Sequence, residues 1–419
     1  MAARRVLSAR RALTAGAVIV GAAVWIGPRV ASVRLSPTDF ERELRAIDDE
    51  IAGGGSMDAD SQTKLAYRLY QRASLTDRPD DFETARSLLV RTIERVGPSP
   101  DLRLLQATLA LRFHQLDAAR SAIHTAPQLA ESAEAQALVA DIDLQQGRYD
   151  QANAEYEAVV RQRPTWAALA RYAFLTGRRG DAPGADRLYA NAEDEVTAKE
   201  MRAYAWLELQ RGQLRFSRGQ YDEALAHYLV AGRAYSGYWL VDEYMAELKG
   251  ALRQFDEAVA LYERAIARAP RPDLLQQLGD LYVFMGRPRE AKRWHDAALA
   301  GYLASVGRGE VQFFHHLAAF YADVAQDSGE AAKWAAEDLR RRPNYASQDM
   351  MAWALYRSGR VADALALAER TMASGITETH LFDHAATINA AAGRADEAGR
   401  IRMKLASLNP RHDDFHVHR

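Results

Sequence analysis

His380 and His384 stand one helical turn apart with Asp383 between them, and a second cluster follows at His412, Asp413, Asp414, His416 and His418. Imidazoles at i and i+4 of a helix lie on one face and can share a divalent ion, and with carboxylate neighbours the set suits zinc or nickel. A protein site needs three or four ligands, however, and this spacing supplies two. The plainer reading is that His384 packs beside the small residue Ala386, and that a short His-rich end is solvated. Other chemistry is thinly represented. There is no Gly-rich phosphate loop, no Gly-x-Ser-x-Gly elbow and no His-Glu-x-x-His signature. Acidic pairs occur throughout, as they do on any charged helical surface. The chain has no cysteine, which excludes disulfides, thiol catalysis and Cys-ligated metal. The residues therefore point away from an enzyme, and no cofactor is expected.

At 419 residues the chain is longer than one compact core usually is, so several domains or an elongated repeat array are expected. A hydrophobic share of 48% with 26% charged residues is that of a folded chain rather than a disordered one. The net charge of −2 leaves no basic field to hold nucleic acid.

The N-terminus carries Arg4, Arg5, Arg10 and Arg11 ahead of an apolar run from Ala12 to Gly27, which Pro28 closes. Residues 1–31 read as a signal peptide or a membrane anchor, with small residues at Val30-Ala31-Ser32 where cleavage could fall. Basic residues ahead of the run favour export of the remainder of the chain, in secreted or inner-membrane-anchored form. The reverse topology, a tethered protein on the cytoplasmic face, is the alternative. Residues 32–56 then supply a short helix and a linker. Ser36-Pro37 offers an N-cap with Pro at the first helical position, Phe40, Leu44, Ile47 and Ile51 keep helical spacing, and Gly53-Gly54-Gly55 ends it.

The elements that must position any site announce themselves by period. The phrases Gly147–Ala152, Gly219–Ala224, Gly286–Ala291, Gly359–Ala364 and Gly393–Ala398 repeat a Gly-x-x-x-x-Ala pattern, with weaker copies ending at Ala85, Ala119, Ala185, Ala258 and Ala331. Twelve residues before each alanine stands Ala73, Ala107, Ala140, Ala173, Gly212, Ala246, Gly279, Ala319, Ala352 or Ala386, so every such position is Ala or Gly. Small residues at fixed places in paired helices let their backbones approach closely. Tyr156, Tyr189, Tyr228 and Tyr262 follow on the same face one turn after the second small residue, and Pro164, Pro270, Pro343 and Pro410 stop that helix. The turn glycine is replaced by Asp80, His114, Arg253 and Gln326 in four copies. Wider spacings before Ala224 and Ala331 predict lengthened helices or loops near 191–205 and 299–312.

This pattern resembles the tetratricopeptide repeat family over about residues 57–412, leaving 413–419 as a His- and Asp-containing tail. The resemblance implies an all-α fold, a helix-turn-helix solenoid of about ten repeats wound into a right-handed superhelix whose first helices line a concave groove. It also implies a protein-binding scaffold. The asparagine of the family's carboxylate clamp would follow the small residue of the first helix, and none of the ten positions is Asn. Instead the C-terminal half of that groove is read as acidic with aromatics interleaved: Glu243, Glu247, Asp280, Asp349 and Asp383 beside Phe320, Trp353 and Tyr356. Such a face would receive a basic or amphipathic segment of another protein, unless its acids are a solvated surface paired with nearby arginines. As surface charges, Glu247, Asp280 and Asp349 should tolerate replacement by Lys without loss of folding. Two other functions stay open: a metal-handling accessory protein using His380, His384, His412, His416 and His418, and a cytosolic membrane-tethered regulator.

Overall fold

A computed structural model describes residues 36–53 and 58–417. The Arg-flanked apolar run, Gly54, Gly55 and His418 lie outside them. No helix among the described residues is long and apolar enough to cross a membrane.

The first helix, Asp39–Gly53, begins later than Ser36-Pro37 suggests. Thr38 is its cap: the Thr38 hydroxyl accepts from the Glu41 N–H at 3.3 Å, and the Glu41 carboxylate accepts from the Thr38 N–H at 2.9 Å. This reciprocal Thr-x-x-Glu box satisfies two otherwise orphaned donors and outcompetes a proline start. Ten helix pairs follow, all without strands among the described residues, from Ala59–Thr76 with Pro79–Val96 in unit 1 to Thr379–Ala391 with Ala395–Leu408 in unit 10.

The ladder of small residues holds the pairs together. Ala73, Ala107, Ala140, Ala173, Ala246, Ala352 and Ala386 are buried, as are all ten alanines of the second register. At Gly212 and Gly279 the helices touch more closely still. A Cβ on Gly212 would lie 2.3 Å from the Tyr228 ring, and one on Gly279 would lie 2.2 Å from His295. The turns between paired helices use left-handed backbone, which glycine adopts at no steric cost. His114, Arg253 and Gln326 carry it where the pattern lacks glycine. In unit 1 the left-handed residue is Asp77 rather than Asp80, because Pro79 starts the second helix early and Asp80 falls inside it. The wide spacings are a loop at 195–200 ahead of Met201–Phe216, and a 20-residue helix, Pro288–Gly307. The first helix of unit 8 is Phe314–Ala319, continued by a π-helical turn, Phe320–Val324.

Units far apart in the chain are packed on one another. The Tyr345 N–H donates to the Tyr149 hydroxyl across 196 residues. The Ser236 N–H donates to Asp39 across 197 residues at 2.9 Å, the Trp239 indole donates to the Leu75 carbonyl at 3.0 Å, and the Thr377 N–H donates to the Arg178 carbonyl at 2.7 Å. Arg271, on the loop before unit 7, is paired with Asp77 at 3.1 Å and with Asp273 at 2.6 Å, and its guanidinium lies 5.4 Å from the Trp239 ring centroid. The solenoid has thus come round by one turn in about six units, and successive turns touch.

Candidate functional site

The first helices turn inward, and their side chains line a cavity of about 1080 Å³. Each helix brings residues spaced by one turn to the same wall: Phe174 and Arg178 from unit 4, Gln210 and Gln213 from unit 5, Asp349 and Trp353 from unit 9, His380 and His384 from unit 10. A smaller space of about 480 Å³ continues along the first helices of units 1 to 4, and His315 and Ala346 line both.

Of the eight sequence-derived groove residues, Glu247, Asp280, Phe320, Asp349 and Trp353 line the larger cavity. Glu243, Tyr356 and Asp383 do not: Glu243 accepts a hydrogen bond from Gln277 at 3.1 Å, Tyr356 packs on Trp353 at 5.1 Å between ring centroids, and Asp383 is exposed. The acids that do line it differ from a solvated row. Asp280 is 2.9 Å from His295 Nε2, and Asp349 is 2.9 Å from His384 Nδ1. The first of these pairs follows a register: the residue after the small position of the first helix bonds to the residue four places beyond the small position of the second. The same pairing gives Tyr156 to Asp141 at 2.6 Å and Tyr228 to Gln213 at 3.0 Å.

Burial and pairing also set the charge. Burial pushes the Glu247 carboxyl up to about 8 against the pull of the Val417 N–H, which it binds at 2.9 Å. Glu243 is pushed up to about 7, burial outweighing the attraction of Arg271. For His384 burial favours the neutral ring, but the carboxylates of Asp349, Asp323 and Asp383 outweigh it and hold its pKa above the ordinary value. On the wall itself Glu247 thus keeps its proton to a higher pH than an ordinary carboxyl, and Asp349 is paired with a histidine. Glu247 is 5% exposed and Asp349 8%. Lys at either would bury an ammonium where a paired or protonated acid now sits, so the expectation of harmless replacement there is corrected.

The histidines divide between two partners. His384 serves Asp349 and stacks on Trp353 at 4.2 Å between ring centroids, while His380 lies 4.8 Å from His416. His412 Nδ1 is 3.1 Å from the Asn409 carbonyl. Among the described residues no group of three or more His, Cys, Asp or Glu could hold a metal ion.

Three cavity residues had little signal in the sequence. Phe174 and Val283 line the cavity while 38% and 51% exposed, and the Arg178 guanidinium lies 5.3 Å from the Phe174 ring centroid. Phe174 occupies the expected register but in the N-terminal half of the groove, outside the acidic half that the sequence singles out, whereas Val283 is three positions further along its helix. Phe415 belongs to no repeat and so had no ladder to place it; it is buried.

No protein-family model and no curated protein matches this chain. Among solved structures it is similar to a chain of the APC/C hetero-tetramer Cut9-Hcn1, at 15% identity and a TM-score of 0.47, over 77% of this chain and 61% of that one. A likeness to MamA has 18% identity and a TM-score of 0.32, over 40% of this chain and 97% of the other. This chain thus spans about three-fifths of the first neighbour's length. These are loose likenesses, and the ladder, the ten pairs and the turn geometry stand without them. The fold is the tetratricopeptide-type helical solenoid. Its inner cavity is lined by polar and apolar side chains by turns.

Proposed function

We propose that this chain is a protein-binding scaffold whose inner cavity receives a segment of a partner protein, apolar or amphipathic with a basic residue. The observation that supports it is the convergence of first-helix side chains from units 4 to 10 on one large cavity, with Phe174 and Val283 left open to solvent there. Apolar side chains held exposed inside a concavity gain most from covering, and a helical groove suits a peptide or helix. The Asp280 and Asp323 carboxyl groups line the same space, which favours a basic residue on the incoming segment.

The test is selection of displayed random peptides on the immobilised full chain, with affinities then measured for the enriched sequences. Selected peptides should carry apolar residues with Arg or Lys, and Phe174→Ala with Val283→Ala should weaken them by roughly tenfold or more, since anchors of this kind carry most of the binding energy. Failure to enrich, or affinities indifferent to both substitutions, would sink the reading. The Arg-flanked run at 12–27 supports an exported or membrane-anchored placement at the cell envelope. Alkaline phosphatase joined after Arg419 should be active, and an inactive fusion would favour the cytoplasmic face.

A further inference from the structure

We propose that the turn of unit 5 together with the inner wall of units 6 and 7 is an extended-peptide site, and that this chain's own segment Asn409–Val417 occupies it as a partner segment would. The inference rests on the scaffold reading and adds to it a place, a sequence preference and a competitor.

The last helix ends at Leu408, and the chain then turns back across earlier units rather than leaving them. The Asn409 side-chain carbonyl accepts from the Arg411 N–H at 2.9 Å, which shapes the turn. Three anchors come next. The Arg411 guanidinium lies 3.9 Å from the centroid of the Tyr221 ring on unit 5, and the stem of its side chain packs beside Gly219. Phe415 enters a niche on units 6 and 7, 2% exposed, 5.5 Å from the Phe284 ring centroid. That niche exists because Gly250 has no side chain: a Cβ there would stand 2.5 Å from the Phe415 ring. Beyond it the Val417 N–H donates to Glu247.

These are the contacts by which grooves read extended segments: one desolvated aromatic anchor, one cation on an aromatic face and a main-chain hydrogen bond. Asp413, between the anchors, is exposed, and so is free to vary. Residues 409–417 contain turns but no regular helix, so lifting them out breaks no helical ladder. Leu408, Asn409, Phe415, His416 and Val417 also line the large cavity, so a partner that displaces the segment gains continuous access to Phe174 and Val283. The partner is therefore an extended protein segment with Arg or Lys four positions before an aromatic residue, and a free backbone N–H two positions after it.

The probe is the peptide Asn-Pro-Arg-His-Asp-Asp-Phe-His-Val, the chain's own segment supplied in trans. The wild-type chain should bind it weakly, because the tethered copy competes at a high effective concentration. Phe415→Ala in the full chain should raise its affinity about tenfold or more. Filling the niche with Gly250→Leu in that background should abolish binding, as should Ala in place of the peptide's Phe. Because the chain lacks cysteine, a single nitroxide at Asp413→Cys gives a second reading that leaves Phe415 in place. Saturating peptide should mobilise the label. A folded Phe415→Ala chain that binds no better than wild type, or a label unmoved by about 1 mM peptide, overturns the inference and makes the segment a fixed clasp between the last repeat and units 5 to 7. If displayed peptides still bind at Phe174 and Val283, only this inference falls; if they fail as well, the scaffold reading falls with it.

Discussion

Glu247 shows what burial does to a single group. Its carboxyl has a folded pKa near 8 against an ordinary 4.5. Between those values the folded chain keeps a proton that the unfolded chain has released, so its contribution to stability is present at low pH and is lost as pH rises towards 8. Glu247→Gln should remove that slope while keeping the acceptor for the Val417 N–H. In urea unfolding the variant should gain on wild type between pH 5 and pH 9 by on the order of 3 kcal/mol, and a pH-independent difference would mean that Glu247 is solvated. Gly212 makes the opposite point, about space. A methyl group there has the Tyr228 ring 2.3 Å away in a buried setting, so Gly212→Ala should cost about 1–3 kcal/mol through overpacking. It should do so despite the better helix propensity of Ala; a stabilised variant in denaturant melts would refute the close approach.

Elements carry their own consequences. The helix Asp39–Gly53 belongs to no pair and is held by Phe40 and Ile47, buried in the core, by ion pairs of Asp48 with Arg72 and of Glu43 with Arg202, and by Ser236. Asp39 accepts from both the Ser236 N–H and its hydroxyl, the latter at 2.6 Å, and the Phe40 N–H donates to the Ser236 carbonyl at 3.1 Å. Thr38→Ala removes half of the box and should cost about 1 kcal/mol. Amide exchange within 39–53 should rise while the ten pairs keep their protection, and a change spread over the pairs would show that the helix is not separately held. The pairs themselves were legible in the sequence, because an Ala or Gly repeated at two fixed offsets has one economical cause, helix against helix. The turn of unit 1 falls at Asp77, because Pro79 takes the first position of the second helix, and spacing counted back from Ala85 carries no information on that start. The inner wall was legible in part. Register identified Glu247, Asp280, Phe320, Asp349 and Trp353 as wall residues, but whether an acid there is free, paired or protonated depends on His295, His384 and the Val417 N–H. Those partners come from the other helix of the pair, from the next unit or from the segment beyond the repeats, and a one-helix register carries no information on them.

On the scale of the whole molecule, winding matters more than any one unit. An open solenoid transmits a perturbation only to its neighbours; this one has contacts between turns. Arg271, paired with Asp77 and Asp273, is one of them, and Asp273 is 4% exposed. Arg271→Met would leave Asp273 without its cation and Asp77 with Arg112 alone, at a cost of about 3–5 kcal/mol. Exchange should then rise in unit 1, some two hundred residues away in the chain, as well as around Pro272–Phe284. Loss confined to unit 7 would show the turns to be energetically independent.

The same winding places the chain under a constraint of time. Tyr149 meets Tyr345 only after a further 196 residues have been made. At about 5–20 residues per second, the surface of unit 3 that will face unit 9 waits roughly 10–40 s for its cover. Each of the early units can close its own pair as it emerges, but none can complete its packing until a unit from the second half arrives. The nascent chain is thus asked to stay soluble with a finished backbone and an unfinished exterior, a demand that falls most heavily on units 1 to 4.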